Sequence, residues 1–264
     1  MTTTESEHAS AICQAFGMQA AGFDSKAMNF TKREFLDYTI QATGFGATDR
    51  VLEVAAGTCA CGRSIAPHVS QVVWLDLTPQ MLAVGEREAA KQGLSNMRFV
   101  VGDAENIPFE GGSFIVVISR LAFHHMLHPE RVFSQMLRVL KPGGKLVLID
   151  MEAAEPALRS TEDEIERLRD FSHVRNLSRD EMLGLYRQAG LTVAKCEVTR
   201  IPVALDAWME LTQTPSELRK QITDRMRADI RGGAKTGVGP YLEGDKVYFN
   251  QRWILIVGVS VQPE

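Results

Sequence analysis

The sequence predicts an α/β fold built on a doubly wound, mostly parallel sheet, and three observations point to it. Five short apolar runs recur through the middle of the chain: VLEVA (Val51–Ala55), VVWL (Val72–Leu75), MRFVV (Met97–Val101), FIVVIS (Phe114–Ser119) and KLVLID (Lys145–Asp150). Helical patterns separate them, and strands covered on both faces read as such continuous runs. The first three runs also lead into small residues or an acid, at the strand ends where open parallel sheets receive ligands.

Each element has a local reason. The first 47 residues read as helices capping one end of the sheet, with Phe16, Phe23 and Phe30 available to the core and to a cover over the strand ends. After the second strand, Thr78 offers a hydroxyl cap and Pro79 a first helical residue for TPQMLAVGEREAAKQG. Pro129–Leu140 is amphipathic, and Pro142-Gly143-Gly144 stops it. Leu191–Pro202 and Val247–Val261 form an antiparallel pair that completes the sheet. A helical stretch, Asp206–Ile230, and the loop RGGAKTGVGPYLEGD lie between them. The expectation is one domain over residues 1–264, with cap helices (1–47), a core (48–151) and a C-terminal half (152–264). That half carries an inserted helical lobe at about 203–246 before the last of seven strands.

Bulk composition excludes some function classes. A net charge of -4 gives no footprint for a phosphate backbone, so nucleic acid is not an expected partner. No apolar run approaches the roughly 18 residues of a membrane span. MTTTESEHAS lacks the regions of a secretory signal, and four scattered cysteines make no disulfide framework, so the cytoplasm is the expected compartment. Cys59 and Cys61 lack the further ligands of a structural zinc site; no metal is expected.

The loop VLEVAAGTCACG decides the nucleotide class. A dinucleotide turn needs Gly-x-Gly-x-x-Gly, and here Ala55, Gly57 and Ala60 stand at those positions. Glu53, just before the turn, would repel a pyrophosphate but suits a cationic end such as the ammonium of a methionine moiety. Asp76 can accept both hydroxyls of a ribose, and Asp103 an adenine amino group. Three strand ends, each with an acid, fit S-adenosylmethionine.

With these residues in place, the chain resembles the class I S-adenosylmethionine-dependent methyltransferases, most of all the small-molecule branch typified by ubiquinone and menaquinone biosynthesis. VLEVAAGTCACG, VVWLDLTPQML, FVVGDAENIPF and GGSFIVVISRLAFHHMLHPERVFSQMLRVLKPGG carry the resemblance, in the family's order. It implies a Rossmann-like fold, S-adenosylmethionine as methyl donor and S-adenosylhomocysteine as product. It places Ala55, Gly57 and Thr58 against the methionine part, Asp76 and Leu77 at the ribose and adenine, and Asp103 and Ala104 at the base, with Ser119 counted among the cofactor-binding residues. Two usual glycines are replaced, at Ala55 and Cys59; alanine is tolerated there where φ is negative. Ile115 stands where the family often has Asp.

The methyl acceptor is expected to be a small molecule, reacting through O, C or N. His124 and His125 follow the fourth strand, where one of them could serve as general base or orienting donor, or pack against backbone. Arg120 could anchor an anionic group or pair with an acid. In RLRDFSHVRNLS, which carries Arg169 and Asp170, His173 and Arg175 are the candidate pocket residues. A homodimer is left open. The competing reading is a protein that binds S-adenosylmethionine or S-adenosylhomocysteine for sensing or assembly, without transferring a methyl group.

Overall fold

The computed structural model describes residues 3–24 and 29–261. Helices α1 (Thr3–Gln19) and α2 (Arg33–Thr43) precede the first strand, β1 (Arg50–Val54). Then follow α3 (Ala60–Ile65), β2 (Gln71–Asp76), α4 (Pro79–Lys91), β3 (Met97–Val101), β4 (Phe114–Arg120), α5 (Pro129–Val139) and β5 (Leu140–Met151). The C-terminal half holds α6 (Arg159–Arg169), α7 (Arg179–Gln188), β6 (Thr192–Ala204), α8 (Leu205–Leu211), α9 (Ser216–Ile230), β7 (Tyr241–Glu243) and β8 (Lys246–Val259).

The strands lie in the order β3-β2-β1-β4-β5-β8-β6. β1 to β5 are mutually parallel, and β8 runs antiparallel between β5 and β6. The order reverses between β1 and β4, and there the two crossovers diverge and leave a crevice beyond the carboxyl ends of the strands.

Strand alternation divides the core in two. Leu52, Val54, Val117 and Leu146 face α5 and α7, where Phe133, Met136 and Tyr186 meet them. Val51, Trp74, Ile118 and Ile149 face the other layer, with Leu36 of α2 and Ile65 of α3. Glu53 and Arg120 share the parity of this second set, so both point to the α2–α3 side of the sheet.

The differences from expectation have local causes. β5 begins at Leu140, because Phe114 pairs with it before a bulge and Pro142–Gly144 run on within the strand. The helical stretch after β6 breaks at Thr212–Pro215 into α8 and α9. The glycine-rich loop adds an eighth strand, β7, hairpinned onto β8 through Gly244 at φ 59°. Ser178 and Glu181 cap α7 reciprocally, the Ser-x-x-Glu signature of a helix start. The lobe has its own apolar centre, where Ile165 of α6 joins Trp208, Ile222, Met226 and Phe249. Among the described residues, no helix is long and apolar enough to cross a membrane.

Candidate active site

Three residues after β1 adopt left-handed backbone: Ala55 (φ 53°), Gly57 (φ 58°) and Cys59 (φ 62°). Ala55 thus lacks the negative φ at which alanine is readily tolerated in place of glycine. The turn doubles back on itself, with Ala56 N–H donating to Leu75 O at 3.1 Å and Cys59 N–H to Ala56 O at 2.8 Å. A side chain in this region costs about 1–2 kcal/mol. Glycine recovers that at some cost in unfolded-chain entropy. Ala55→Gly is therefore expected to raise stability by about 0.5–1 kcal/mol, read from a denaturant midpoint.

Asp76, at the end of β2, clips this turn. One carboxylate oxygen accepts Gly57 N–H at 2.8 Å and the other accepts Thr78 N–H at 2.7 Å. Burial raises its carboxyl, and these N–H groups pull it partly back. Asp103 acts likewise at the next strand end, accepting Glu105 N–H at 2.9 Å and turning Ala104 towards the crevice.

Glu53 is 3% exposed and accepts Gly62 N–H at 2.8 Å. Any Cβ on Gly62 would stand 1.9 Å from Trp74 Nε1 and 2.5 Å from Glu53 Oε2, so only glycine brings α3 this close. Burial pushes the Glu53 carboxyl up to about 7, against the opposing pull of Gly62 N–H, Arg120 and Arg63. Burial also pushes both loop thiols, Cys59 and Cys61, far up; they are protonated packing groups, without the thiolate character of reactive or metal-binding cysteine. Among the described residues, the group with metal-ligand spacing is Glu5, Glu105 and His128, and Arg131 already bridges its two carboxylates.

These strand ends open on a cavity of about 460 Å³ roofed by α1, whose Glu5, His8, Ala9, Ile12 and Phe16 face inward. Several contacts hold the roof down. His8 Nε2 reaches His125 O at 2.7 Å, Gln19 donates to Asp170 at 3.3 Å, and Asp24 takes both the Thr58 hydroxyl and Arg63.

Beyond β4 two histidines stand ring to ring, 4.1 Å between centroids. Burial would lower His124, but the Asp150 carboxylate, 2.6 Å from its Nδ1, outweighs it and raises it above the ordinary histidine value. His125 goes the other way: burial and then the neighbouring His124 hold it well below the ordinary value. His125 Nδ1 lies 3.0 Å from Ser172 O; a carbonyl only accepts, so Nδ1 carries the proton and Nε2 the lone pair. Ser172 is fixed in turn by its N–H and hydroxyl, both donated to Asp170 Oδ1. A histidine held above the ordinary value beside one held well below it, each oriented by its neighbours, is an arrangement suited to proton transfer.

The cavity wall includes Glu53, Ala55, Gly57, Thr58, Asp76, Leu77, Asp103, Ala104, Arg120, His124 and His125. Ser119, His173 and Arg175 stay out of it. Ser119 is fully buried on the sheet face opposite Arg120, beneath the α5–α7 layer. His173 turns to Asp163 of α6, with Nε2 at 2.9 Å from its carboxylate, and Arg175 reaches Glu181 of α7 at 2.8 Å. From the same run, Arg169 and Asp170 line the wall instead. Met151, Leu211 and Gln251 also line it and were not singled out from the sequence. Met151 had a signal: it follows Asp150 at the carboxyl end of a parallel strand. Phe16 and Phe23 line the cavity; the Phe30 side chain lies outside the described residues.

Known proteins share this architecture. The profile of the family described as "Methyltransferase domain" matches residues 51–144. The uncharacterized methyltransferase YcgJ of Bacillus subtilis is 32% identical over 194 residues, which are 73% of this chain and 77% of YcgJ. Its crystal structure superposes with a TM-score of 0.78 over 88% of this chain and 100% of that one. The uncharacterized protein YafE of Escherichia coli is 36% identical over 58% of this chain and 74% of its own length. The ubiquinone/menaquinone biosynthesis C-methyltransferase UbiE of Ectopseudomonas mendocina is 34% identical over 55% of this chain and 60% of its own length.

Proposed function

Because the chain belongs to the class I S-adenosylmethionine-dependent methyltransferases, we propose that it methylates a small molecule held beneath α1, with His125 as general base. The observation that carries this reading is the roofed cavity with a neutral, oriented imidazole in its wall. A roof pinned by His8, Gln19 and Asp24 over a cavity of about 460 Å³ suits a small acceptor.

The residues present fit the cofactor. Gly57 turns bare backbone to the cavity, where an added Cβ would meet nothing closer than Met81 Cε at 3.8 Å. Each Asp76 oxygen accepts one N–H and keeps a lone pair for a ribose hydroxyl. Ala55, Gly57 and Thr58 would hold the methionine part, Leu77, Asp103 and Ala104 the base, and Glu53 the ammonium. S-adenosylmethionine supplies a methyl group on sulfonium, a leaving group that needs no protonation. The protein's share is to align the acceptor, exclude water and take up its proton at His125 Nε2.

The test is methyl-labelled S-adenosylmethionine supplied with cell extract. Label is expected in the low-molecular-mass fraction; label confined to protein or nucleic acid sinks the proposal. Glu53 adds a pH test. Its folded value near 7 means that it ionises, and so attracts an ammonium, only as pH rises through that point. S-adenosylhomocysteine affinity should therefore climb between about pH 6 and 8, and Glu53→Gln should flatten the climb. For folding of the free protein the sign is opposite. The raised carboxyl stabilises the fold below its unfolded value, and this is lost as pH rises towards 7.

A further inference from the structure

We propose that the methyl acceptor carries a carboxylate and that Arg169 grips it; this rests on the methyltransferase reading above. Arg169 is the last residue of α6, its side chain 9% exposed, in the cavity wall. Its guanidinium lies over the fully buried Trp208 ring, 4.6 Å from the centroid, and is held there as a rigid plate. Yet its donors are poorly used. Nη2 makes one long bond to Asp170 at 3.5 Å, and Glu166 stands 3.7 Å from Nε, too far for a hydrogen bond. Among the described residues, Nε and Nη1 have no hydrogen-bond partner. Asp170 already takes two bonds from Ser172 and one from Gln19. A guanidinium whose Nε is buried without a partner is costly to hold, and its planar fork in the cavity wall matches a carboxylate.

Charge decides between a carboxylate and other oxygen acceptors. Asp170 and Glu166 stand beside Arg169, but the first is reached through one long bond and the second lies beyond hydrogen-bond distance, so neither occupies its fork. S-adenosylmethionine brings its sulfonium, a further positive charge, into the same cavity, so an acceptor is held best where its charge offsets the sulfonium. A monoanion offsets it. A neutral carbonyl leaves it standing, and a phosphate dianion overshoots it beside Asp170 and Glu166.

The test loads the full-length protein with sinefungin, which bears an ammonium where the cofactor bears its sulfonium. Matched aryl and alkyl carboxylates and their amides are then titrated in a calorimeter. At least one carboxylate is expected to bind about tenfold or more tightly than its amide, the scale of one charge-assisted hydrogen bond. The preference should shrink when S-adenosylhomocysteine replaces sinefungin, a comparison that needs no variant. It should vanish in Arg169→Gln and partly return in Arg169→Lys, with sinefungin affinity unchanged in both. Amides binding as well as carboxylates, no binding by any of the panel, or a preference that survives Arg169→Gln overturns this proposal alone. Failure of sinefungin to bind overturns the cofactor assignment and this proposal with it.

Discussion

Asp76→Ala is expected to weaken S-adenosylhomocysteine binding by about a hundredfold or more. Two charge-assisted bonds to a ribose are worth about 1.5–3 kcal/mol each, and both would go. The change also strips the acceptors from Gly57 N–H and Thr78 N–H, which shape the turn itself. Leaving two such donors unsatisfied costs about 1–3 kcal/mol each, so a lower denaturant midpoint should accompany the lost affinity. Asp76→Asn keeps one acceptor oxygen and should fall between the two. Calorimetric titration of the three proteins decides it; an Asp76→Ala variant that binds as tightly as the parent removes Asp76 from the cofactor site.

Replacing His125 by asparagine should lower turnover by about a hundred- to ten-thousandfold, the range of a general base, with cofactor affinity unchanged. The asparagine amide can still donate to Ser172 O, so the loop stays supported while the basic nitrogen is lost. The pH profile gives a second readout. Because burial and His124 hold His125 below the ordinary value, it is unprotonated at neutral pH, and turnover should stay flat into mild acid. Asp150→Asn takes away the carboxylate that favours the protonated form of His124. His125 then has a less cationic neighbour, its affinity for a proton rises, and the acid limb should move to higher pH. An unmoved limb with turnover still high would leave both histidines as structural groups.

The parallel core was legible because each of its strands is a short apolar run closed by turn chemistry. The acids at the ends of β1, β2 and β3 were legible for the same reason, since a strand's end is marked in the sequence even when its neighbours are not. Less was legible where the choice lay between adjacent residues. Ser119 and Arg120 are consecutive and point to opposite faces, and the sequence does not say which face meets the crevice. In the run after Ile165, Arg169 and Asp170 turn inward, whereas His173 and Arg175 turn to Asp163 and Glu181. Those two carboxylates lie on separate helices, and their positions follow from how α6 and α7 dock.

The conformation of the first loop shows the same boundary. Ala55 and Cys59 are visible departures from glycine, but only the fold reveals that both sit at positive φ. Sequence alone determined the sheet, its cofactor class and the strand ends that form the site, because period, caps and terminal acids are local properties. The tertiary structure decided which side chains share the cavity, that His124 and His125 are shifted in opposite directions, and that Arg169 is buried with an unpartnered Nε. Burial, charge neighbours and hydrogen-bond partners arise between segments far apart in the chain, and no local pattern encodes them.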